Sequence, residues 1–324
     1  DLHNSEHSFP TRRSSDLVHI DPTGTGIPED RLSSLLDQAI ADVRPALRKV
    51  LLVPPDYTRA HSGAGRITAH YCAALKDTCQ VDILPALGTH EPMTEAECRA
   101  FFGPDVPFDR VLPHRWRTDV ETLGEVPGSF VAEVSEGLMS DPIPVQVNRR
   151  LLDPSYDLVL SIGQVVPHEV VGMANYSKNV FVGCGGSAMI NASHMLGAFY
   201  GMERIMGRDR TPVRQVFDYA EAHFTGRIPL RYILTVTTAP EGVVRIHGLF
   251  AGRSRRLFEE AVRLSQARNL TLLPRPLRKA VVYLDEAEFK STWLGNKAIY
   301  RTRMALADGG ALLVLAPGVR KFGE

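Results

Sequence analysis

Short apolar runs alternate with helix-like segments from residue 28 to residue 84, and this order most constrains the fold of the chain. Residues 28–47 place apolar side chains at helical spacing, with a proline at the first turn and acidic residues behind it, as a helix start favours. Residues 49–53 form a continuous apolar run that ends at two prolines, which is typical of a buried strand. Residues 67–76 and 81–84 repeat the order of helix and strand. The pattern predicts a parallel α/β sheet.

Polar residues are concentrated in the loops that follow the predicted strands. A third strand, predicted over residues 157–162, leads into a stretch with two histidines, one lysine and a glycine cluster. In an open parallel sheet, ligands bind beyond the carboxyl ends of the strands. We therefore expect these loops to form one site. Its candidate residues are Asp56, Arg59, His90, His168, Lys178 and His194.

Composition and charge narrow the class of protein. The 324 residues are 44% hydrophobic and 23% charged, which suits a globular protein of about two domains. Lys+Arg and Asp+Glu both number 37, so we expect neither nucleic acid nor an anionic membrane as a partner. No apolar run approaches the roughly 20 residues of a membrane helix. The four cysteines form no CxxC pair, which indicates a reducing, cytoplasmic location.

The stretch with the two histidines and the lysine resembles the nickel-dependent lactate racemases and related 2-hydroxy-acid racemases and epimerases. In that family a Pro-His pair follows a strand, a lysine ten residues later carries a covalently attached nickel-pincer nucleotide, and a histidine sixteen residues beyond binds the nickel. Pro167-His168, Lys178 and His194 reproduce both spacings. The resemblance implies that Lys178 carries the nucleotide and that His194 binds nickel.

Other motifs extend the resemblance. The DxTR run of Asp56 and Arg59 corresponds to a family element that faces cofactor and substrate, and GTH places His90 as one of two acid/base histidines beside His168. Lys297 corresponds to a lysine that reaches across an interdomain cleft to the substrate. Without the resemblance, Asp56 and Arg59 would be interpreted as a strand-end salt bridge, His90 as an ordinary loop histidine and Lys297 as an exposed helix lysine. The resemblance implies a racemase or epimerase of a 2-hydroxy acid that works by proton-coupled hydride transfer.

Further residues follow from the resemblance or flank it. Asp56, Ser177, Gly185 and Gly186 are predicted to bind the cofactor, which enzymes of cofactor biosynthesis would supply. The family's Ser-Gly-Gly-x-Lys is Ala174-Asn175-Tyr176-Ser177-Lys178 here, and Trp293-Leu294 replaces a polar pair before Lys297. Both departures favour a larger 2-hydroxy acid than lactate, such as an aldonate. Glu169, Tyr176 and Asn191 are supporting candidates only.

Two other classes of function remain open. One is a hydrolase whose divalent metal is held by His90, His168 and His194. The other is a non-catalytic relative that binds a sugar acid or a nucleotide. His114 and its basic neighbours are interpreted as a solvated face, and Cys184 as a small buried hydrophobe.

The chain divides into three predicted parts. Residues 1–17 back-translate to a common sequencing adapter and are predicted to be read-through. Residues 18–273 would form a cofactor-binding catalytic domain with a parallel, Rossmann-like sheet. This domain includes a β-rich excursion over residues 119–146, with strands predicted at SFVAEV and PIPVQV. Residues 274–324 would hold a linker and the start of an incomplete C-terminal α/β domain, with a cleft between the two domains. A strand is predicted from Ala280.

Overall fold

A mixed α/β fold is built from the elements below, in a computed structural model that describes residues 16–286 and 288–323. The strands are β1 (Leu17–Ile20), β2 (Lys49–Val53), β3 (Gln80–Ile83), β4 (Val120–Val126), β5 (Ile143–Asn148), β6 (Leu158–Gln164), β7 (Pro167–His168), β8 (Gly172–Met173), β9 (Leu230–Thr238), β10 (Arg245–Gly252), β11 (Leu277–Tyr283) and β12 (Leu306–Leu315). The α-helices are α1 (Glu29–Ile40), α2 (Ala64–Leu75), α3 (Glu95–Phe102), α4 (Gly128–Val134), α5 (Ser187–Tyr200), α6 (Pro212–Phe224), α7 (Arg255–Asn269), α8 (Thr292–Gly295) and α9 (Lys297–Thr302).

The central sheet has six strands in the order β1-β10-β9-β6-β2-β3. Strand β2 pairs in parallel with β3 and β6, and β6 pairs in parallel with β9. This confirms the predicted α/β class and its parallel strands. The sheet continues with β10 and β1, which are both antiparallel to their neighbours. A short turn joins β9 to β10, and such a turn permits only antiparallel pairing.

Both faces of the parallel strands are buried, which explains why their sequences are continuously apolar. In β2, Leu51 and Val53 pack on one side with residues of α5, α6 and α7. Val50 and Leu52 pack on the other side with residues of α1, α2 and α3. The side chains alternate because successive residues of a strand point to opposite faces. Helices therefore cover the sheet on both sides, and its strand ends are left for the loops.

The excursion over residues 119–146 is only partly β-structure. Strands β4 and β5 form an antiparallel pair, but the segment SFVAEV, which we predicted as a strand, lies in helix α4. Pro127 occupies the position before the helix, and Phe130, Val131 and Val134 recur at helical spacing against the core. The prediction of a strand there was wrong because a segment of six residues fits both the helical and the strand spacing of apolar side chains.

The C-terminal part has the predicted order of strand, helix and strand. Strand β11 begins at Leu277, three residues before the predicted start, and pairs in parallel with β12. Leu284, Phe289 and Ala298 form a small core beneath this pair. Residues 1–15, which hold most of the predicted read-through, lie outside the described residues. Leu17 begins β1 and pairs with Ala251.

Candidate active site

A cavity of about 1190 Å³ lies where the loops after β2, β3 and β6 meet. Residues from the end of α7 to Pro276, together with α9, complete its wall. The structure brings seven predicted site residues to this cavity. They are Asp56, Arg59, His90, His168, Lys178, His194 and Lys297. Glu169 lines it as well, whereas Tyr176 is buried and Asn191 lies exposed on α5.

Asp56 fixes the ring of His90. The carboxylate accepts hydrogen bonds from the backbone N–H of Thr58, at 3.0 Å, and from its hydroxyl, while its second oxygen pairs with Nδ1 of His90. Burial alone would raise the pKa of Asp56, but the bonds from His90 and Thr58 and the charge of Arg59 hold that pKa below its usual value. Nδ1 of His90 therefore carries the proton, and Nε2 is free as a base.

His168 has the opposite tautomer. Its Nδ1 accepts the backbone N–H groups of Val170 and Val171, at 3.1 and 3.4 Å, so the proton of the neutral ring is on Nε2. Burial and the charge of Lys178 lower the pKa of His168 to about 3, although Glu169 opposes them. At neutral pH, His168 is thus an uncharged hydrogen-bond donor. It can act as a base only in the other tautomer, for which the ring must release both N–H groups.

Lys178 precedes a π-helical turn, Asn179–Gly183. Its side chain is partly buried, and it makes no ion pair among the residues that the structure describes. Burial and the charge of Arg59 lower the pKa of the Lys178 amine to about 8, with Glu169 acting in the other direction. A substantial share of the amine is therefore neutral and nucleophilic near pH 8.

His194 lies on α5 with one ring nitrogen free. Its Nδ1 donates a hydrogen bond to the carbonyl of Ile190, at 2.7 Å. Burial and the charge of Lys178 lower the pKa of His194, so the ring is neutral and Nε2 has an available lone pair. A backbone carbonyl that orients the other nitrogen is the usual support of a metal-binding histidine. The donor chemistry of His194 and Lys178, in one cavity, fits a nickel-bearing group attached through an amine.

The histidines do not form a metal site by themselves. Within residues 16–286 and 288–323, no three His, Cys, Asp or Glu side chains are grouped closely enough to bind one metal ion. The hydrolase alternative requires such a group from His90, His168 and His194.

Arg59 and Lys297 add positive charge to the cavity, and neither makes an ion pair with a described residue. Burial, Arg59 and Arg301 lower the pKa of Lys297 against the opposing charges of Glu169 and Glu288. His61, Glu288 and Arg301 also line the cavity. His61 lies in the loop after β2 that was expected to face the site, but neither Glu288 nor Arg301 was predicted. Arg301 follows Lys297 by four residues and so lies on the same helix face, which is a signal that could have found it.

Three predicted cofactor residues lie outside the cavity lining. Ser177 is fully buried and accepts a hydrogen bond from Arg214. A Cβ on Gly185 would lie 1.8 Å from the carbonyl oxygen of Phe181, and one on Gly186 would lie 2.4 Å from Oε1 of Gln146. Close packing thus accounts for both glycines, while the neighbouring Gly183 lines the cavity.

The environment of Cys184 was predicted correctly, whereas that of His114 was not. His114 is 1% exposed and bonds to the carbonyl of Gly185 and to the side chain of Asn148. Our interpretation of this histidine as part of a solvated face was wrong. Cys184 is fully buried, as predicted, and burial raises the pKa of its thiol.

The fold and the cavity define an α/β protein with a nucleophilic lysine and several histidines at the strand ends. The sequence model of the lactate racemase N-terminal domain matches residues 27–206, which is more than half of the chain. The chain therefore belongs to the lactate racemase N-terminal domain family.

Two solved structures are similar to this one. A crystal structure of a protein from Thermotoga maritima has a TM-score of 0.78 at 26% identity and covers 89% of this chain and 71% of that chain. The lactate racemase apoprotein from Thermoanaerobacterium thermosaccharolyticum has a TM-score of 0.70 at 18% identity, over 96% of this chain and 71% of that one. The second likeness shows the fold. No curated protein sequence matches significantly. Among the described residues, no helix has the length and apolar character needed to cross a membrane.

Proposed function

We propose that this protein inverts the configuration at C2 of a 2-hydroxy acid with the help of a nickel-pincer nucleotide. The observation that carries the proposal is the placement of Lys178, His194 and the Asp56–His90 pair in one cavity. Membership of the lactate racemase family supports a racemase-like function. Separate experiments test the cofactor and the substrate.

The residues divide into those that hold the cofactor and those that handle the substrate. Lys178 would bind the nucleotide covalently through its amine, and Nε2 of His194 would bind the nickel. When bound, the group supplies an electrophilic carbon that takes a hydride from C2 and returns it to either face. Such an acceptor is needed because the C2 proton is too weakly acidic for an ordinary side chain to remove.

Proton transfer at the substrate hydroxyl falls to the histidines. Nε2 of His90 takes the hydroxyl proton as the hydride leaves, and Asp56 stabilises the imidazolium that forms. His168 donates a hydrogen bond from Nε2 to the substrate oxygen. The imidazolium of His90 returns its proton to that oxygen when the opposite face of C2 is reduced, so each turnover leaves both rings as they began. His168 could serve as the second base only after a change of tautomer. Arg59 and Lys297 bind the substrate carboxylate, Arg59 through a bidentate fork.

The lining favours a substrate with more polar groups than lactate. His61, Glu288 and Arg301 provide donors and an acceptor beyond those that one carboxylate and one hydroxyl need. A polyhydroxylated 2-hydroxy acid, such as an aldonate, would use them. Trp293 and Leu294 are not among the lining residues, so the departure from the family at these two positions does not indicate the size of the substrate.

Mass spectrometry of the intact protein tests the cofactor. The chain is produced together with the cofactor-making enzymes, and its mass and metal content are measured. We expect one nucleotide adduct and nickel, with the adduct absent from Lys178→Arg and retained in the matched control Lys297→Arg. Zinc without an adduct would support the hydrolase, and neither metal nor adduct would support the binding protein.

Epimer formation in deuterium oxide tests the reaction. The loaded protein is incubated with single enantiomers of lactate and of several aldonates, and the products are analysed by chiral chromatography and proton NMR. A hydride route forms the epimer with hydrogen retained at C2. Epimers that carry deuterium at C2 would instead indicate removal of a proton by a base, and would contradict the hydride route.

A further inference from the structure

The chain reaches Lys178 through two residues in an unfavourable backbone conformation. Asn175 and Tyr176 have φ values of 65° and 56°. Asparagine tolerates this left-handed region, but for a bulky residue such as tyrosine it is a genuine outlier. Such a turn persists only where its surroundings hold it, so the groups that contact residues 173–177 determine where Lys178 begins.

Arg214 of helix α6 makes those contacts. Its guanidinium donates hydrogen bonds to the carbonyls of Met173 and Asn175, at 2.7 and 3.2 Å, and to the hydroxyl of Ser177, at 2.8 Å. The side chain is 0% exposed. One arginine therefore joins three alternate residues of the strained turn, the last of which is the immediate neighbour of Lys178.

The residue after Lys178 is fixed as well. The side-chain amide of Asn179 donates to the carbonyl of Val53 and to the hydroxyl of Ser161, both at 3.0 Å. These partners are the last residue of β2 and the central residue of β6. Lys178 thus lies between two residues whose side chains are hydrogen-bonded to other elements, and of these only Ser177 is bound by a charged group.

A buried guanidinium is a costly way to support a turn unless its charge is compensated. The plane of Arg214 lies over the ring of Phe258, 4.5 Å from its centroid, and Nε has no hydrogen-bond partner among the described residues. The nearby Asp218 is shared with Arg255, whose Nε lies 2.9 Å from it. Arg214 also lowers the pKa of the Lys178 amine, after burial and Arg59.

We infer that Arg214 is a positioning residue for Lys178, because its three hydrogen bonds fix the turn from which the amine enters the cavity. The inference rests on the proposed function only for the importance of Lys178 as the attachment point. Its test needs neither nickel nor nucleotide. A failure of the inference is therefore distinguishable from a failure of the proposed function.

Selective acetylation of the full chain, produced without the cofactor-making enzymes, tests the inference. The protein is treated briefly with N-hydroxysuccinimidyl acetate at pH 8, and the rates of labelling at Lys178 and Lys297 are measured by peptide mass spectrometry. Lys297 is an internal standard because it lines the same cavity from another element. The variants are Arg214→Gln, which removes the charge, Arg214→Lys, which keeps it without the fork, and Ser177→Ala, which removes one contact.

We expect the ratio of labelling, Lys178 to Lys297, to fall about threefold or more in Arg214→Gln and less in Arg214→Lys, because a displaced amine regains the low reactivity of a solvated lysine. Ser177→Ala should give a smaller fall and is the reference if the arginine variants fail to fold. Arg231→Gln is the matched control, since Arg231 makes three hydrogen bonds to Ala39 and Asp42 away from the turn. That control should lose stability without a change in the ratio. An unchanged ratio in folded Arg214→Gln, or in Ser177→Ala if Arg214→Gln does not fold, would overturn the inference.

Discussion

His90 and His168 line one cavity with opposite tautomers. His90 donates a hydrogen bond from Nδ1 to Asp56, whereas His168 uses the lone pair of Nδ1 to accept two backbone N–H groups. The free Nε2 atoms of the two rings therefore differ, one being an acceptor and the other a donor. A hydroxyl that lies between them can lose a proton to one ring while the other polarises its oxygen.

Replacement of Asp56 by asparagine should weaken the base. The amide keeps the shape of the side chain but no longer stabilises the imidazolium of His90, so we expect epimer formation to slow by about tenfold or more. The rate is measured on protein with a full complement of adduct. Asp37→Asn is the matched control, because Asp37 contacts His70 at 3.2 Å outside the cavity. Equal rates for wild type and Asp56→Asn would exclude the role of this carboxylate.

His168 should remain uncharged through mildly acidic pH. With its pKa near 3 in the folded chain and near 6.5 when unfolded, the unfolded state binds more protons between these values. The free energy of unfolding should therefore fall as the pH drops from about 6.5, and part of this slope should be absent in His168→Gln. Nitrogen-15 NMR, with the same variant as the assignment control, should show the proton on Nε2. A proton on Nδ1 at pH 7 would contradict the assigned tautomer.

Lys178 should destabilise the protein when its amine is unmodified. Its pKa of about 8 in the folded chain lies below the ordinary 10.5, so the charged amine is disfavoured by folding. We expect Lys178→Met to raise the free energy of unfolding by about 2–3 kcal/mol at pH 7, since one pKa unit corresponds to ~1.4 kcal/mol. The gain should shrink between about pH 8 and pH 10.5, where the unfolded wild type alone binds the proton. Urea unfolding at pH 7 and pH 10 measures the gain in the free energy of unfolding and its dependence on pH. A gain independent of pH would indicate that packing, and not the charge, is responsible.

Arg301 should select among substrates. If it binds a distal polar group, Arg301→Gln should raise KM for an aldonate about tenfold and leave KM for lactate nearly unchanged, with little effect on kcat. Steady-state kinetics on both substrates measures this difference. Arg303→Gln is the control on the same segment, because Arg303 pairs with Glu203, at 3.2 Å, and does not line the cavity. Equal changes for the two substrates would remove Arg301 from substrate selection.

The sequence was sufficient for the parallel strands and for seven of the charged and histidine side chains that line the cavity. The strand β2 was predicted at its observed bounds because both of its faces are buried and its pattern is unbroken. The site residues were found through the resemblance to a known family, whose spacings Pro167-His168, Lys178 and His194 reproduce. Helix α4 was not predicted, because SFVAEV is too short to distinguish the spacing of apolar residues in a helix from that in a strand.

The roles of Arg214 and His114 could not be predicted from local pattern. PVRQVF reads as an ordinary amphipathic helix, and the partners of Arg214 are carbonyls about 40 positions away. His114 is likewise buried by contacts with Asn148 and Gly185, which only the tertiary fold provides. A polar side chain whose partners are distant backbone groups leaves no periodic signal in the sequence.

The side-chain amide of Asn179 joins the neighbouring parallel strands β2 and β6, and Lys178 is its neighbour. The location of the amine is therefore set by the central sheet, whereas Lys297 and Arg301 belong to a separate short helix, α9. Exchange of that helix would alter which acids fit without disturbing the attachment point. Substrate range can thus diverge, or be engineered, independently of the chemistry.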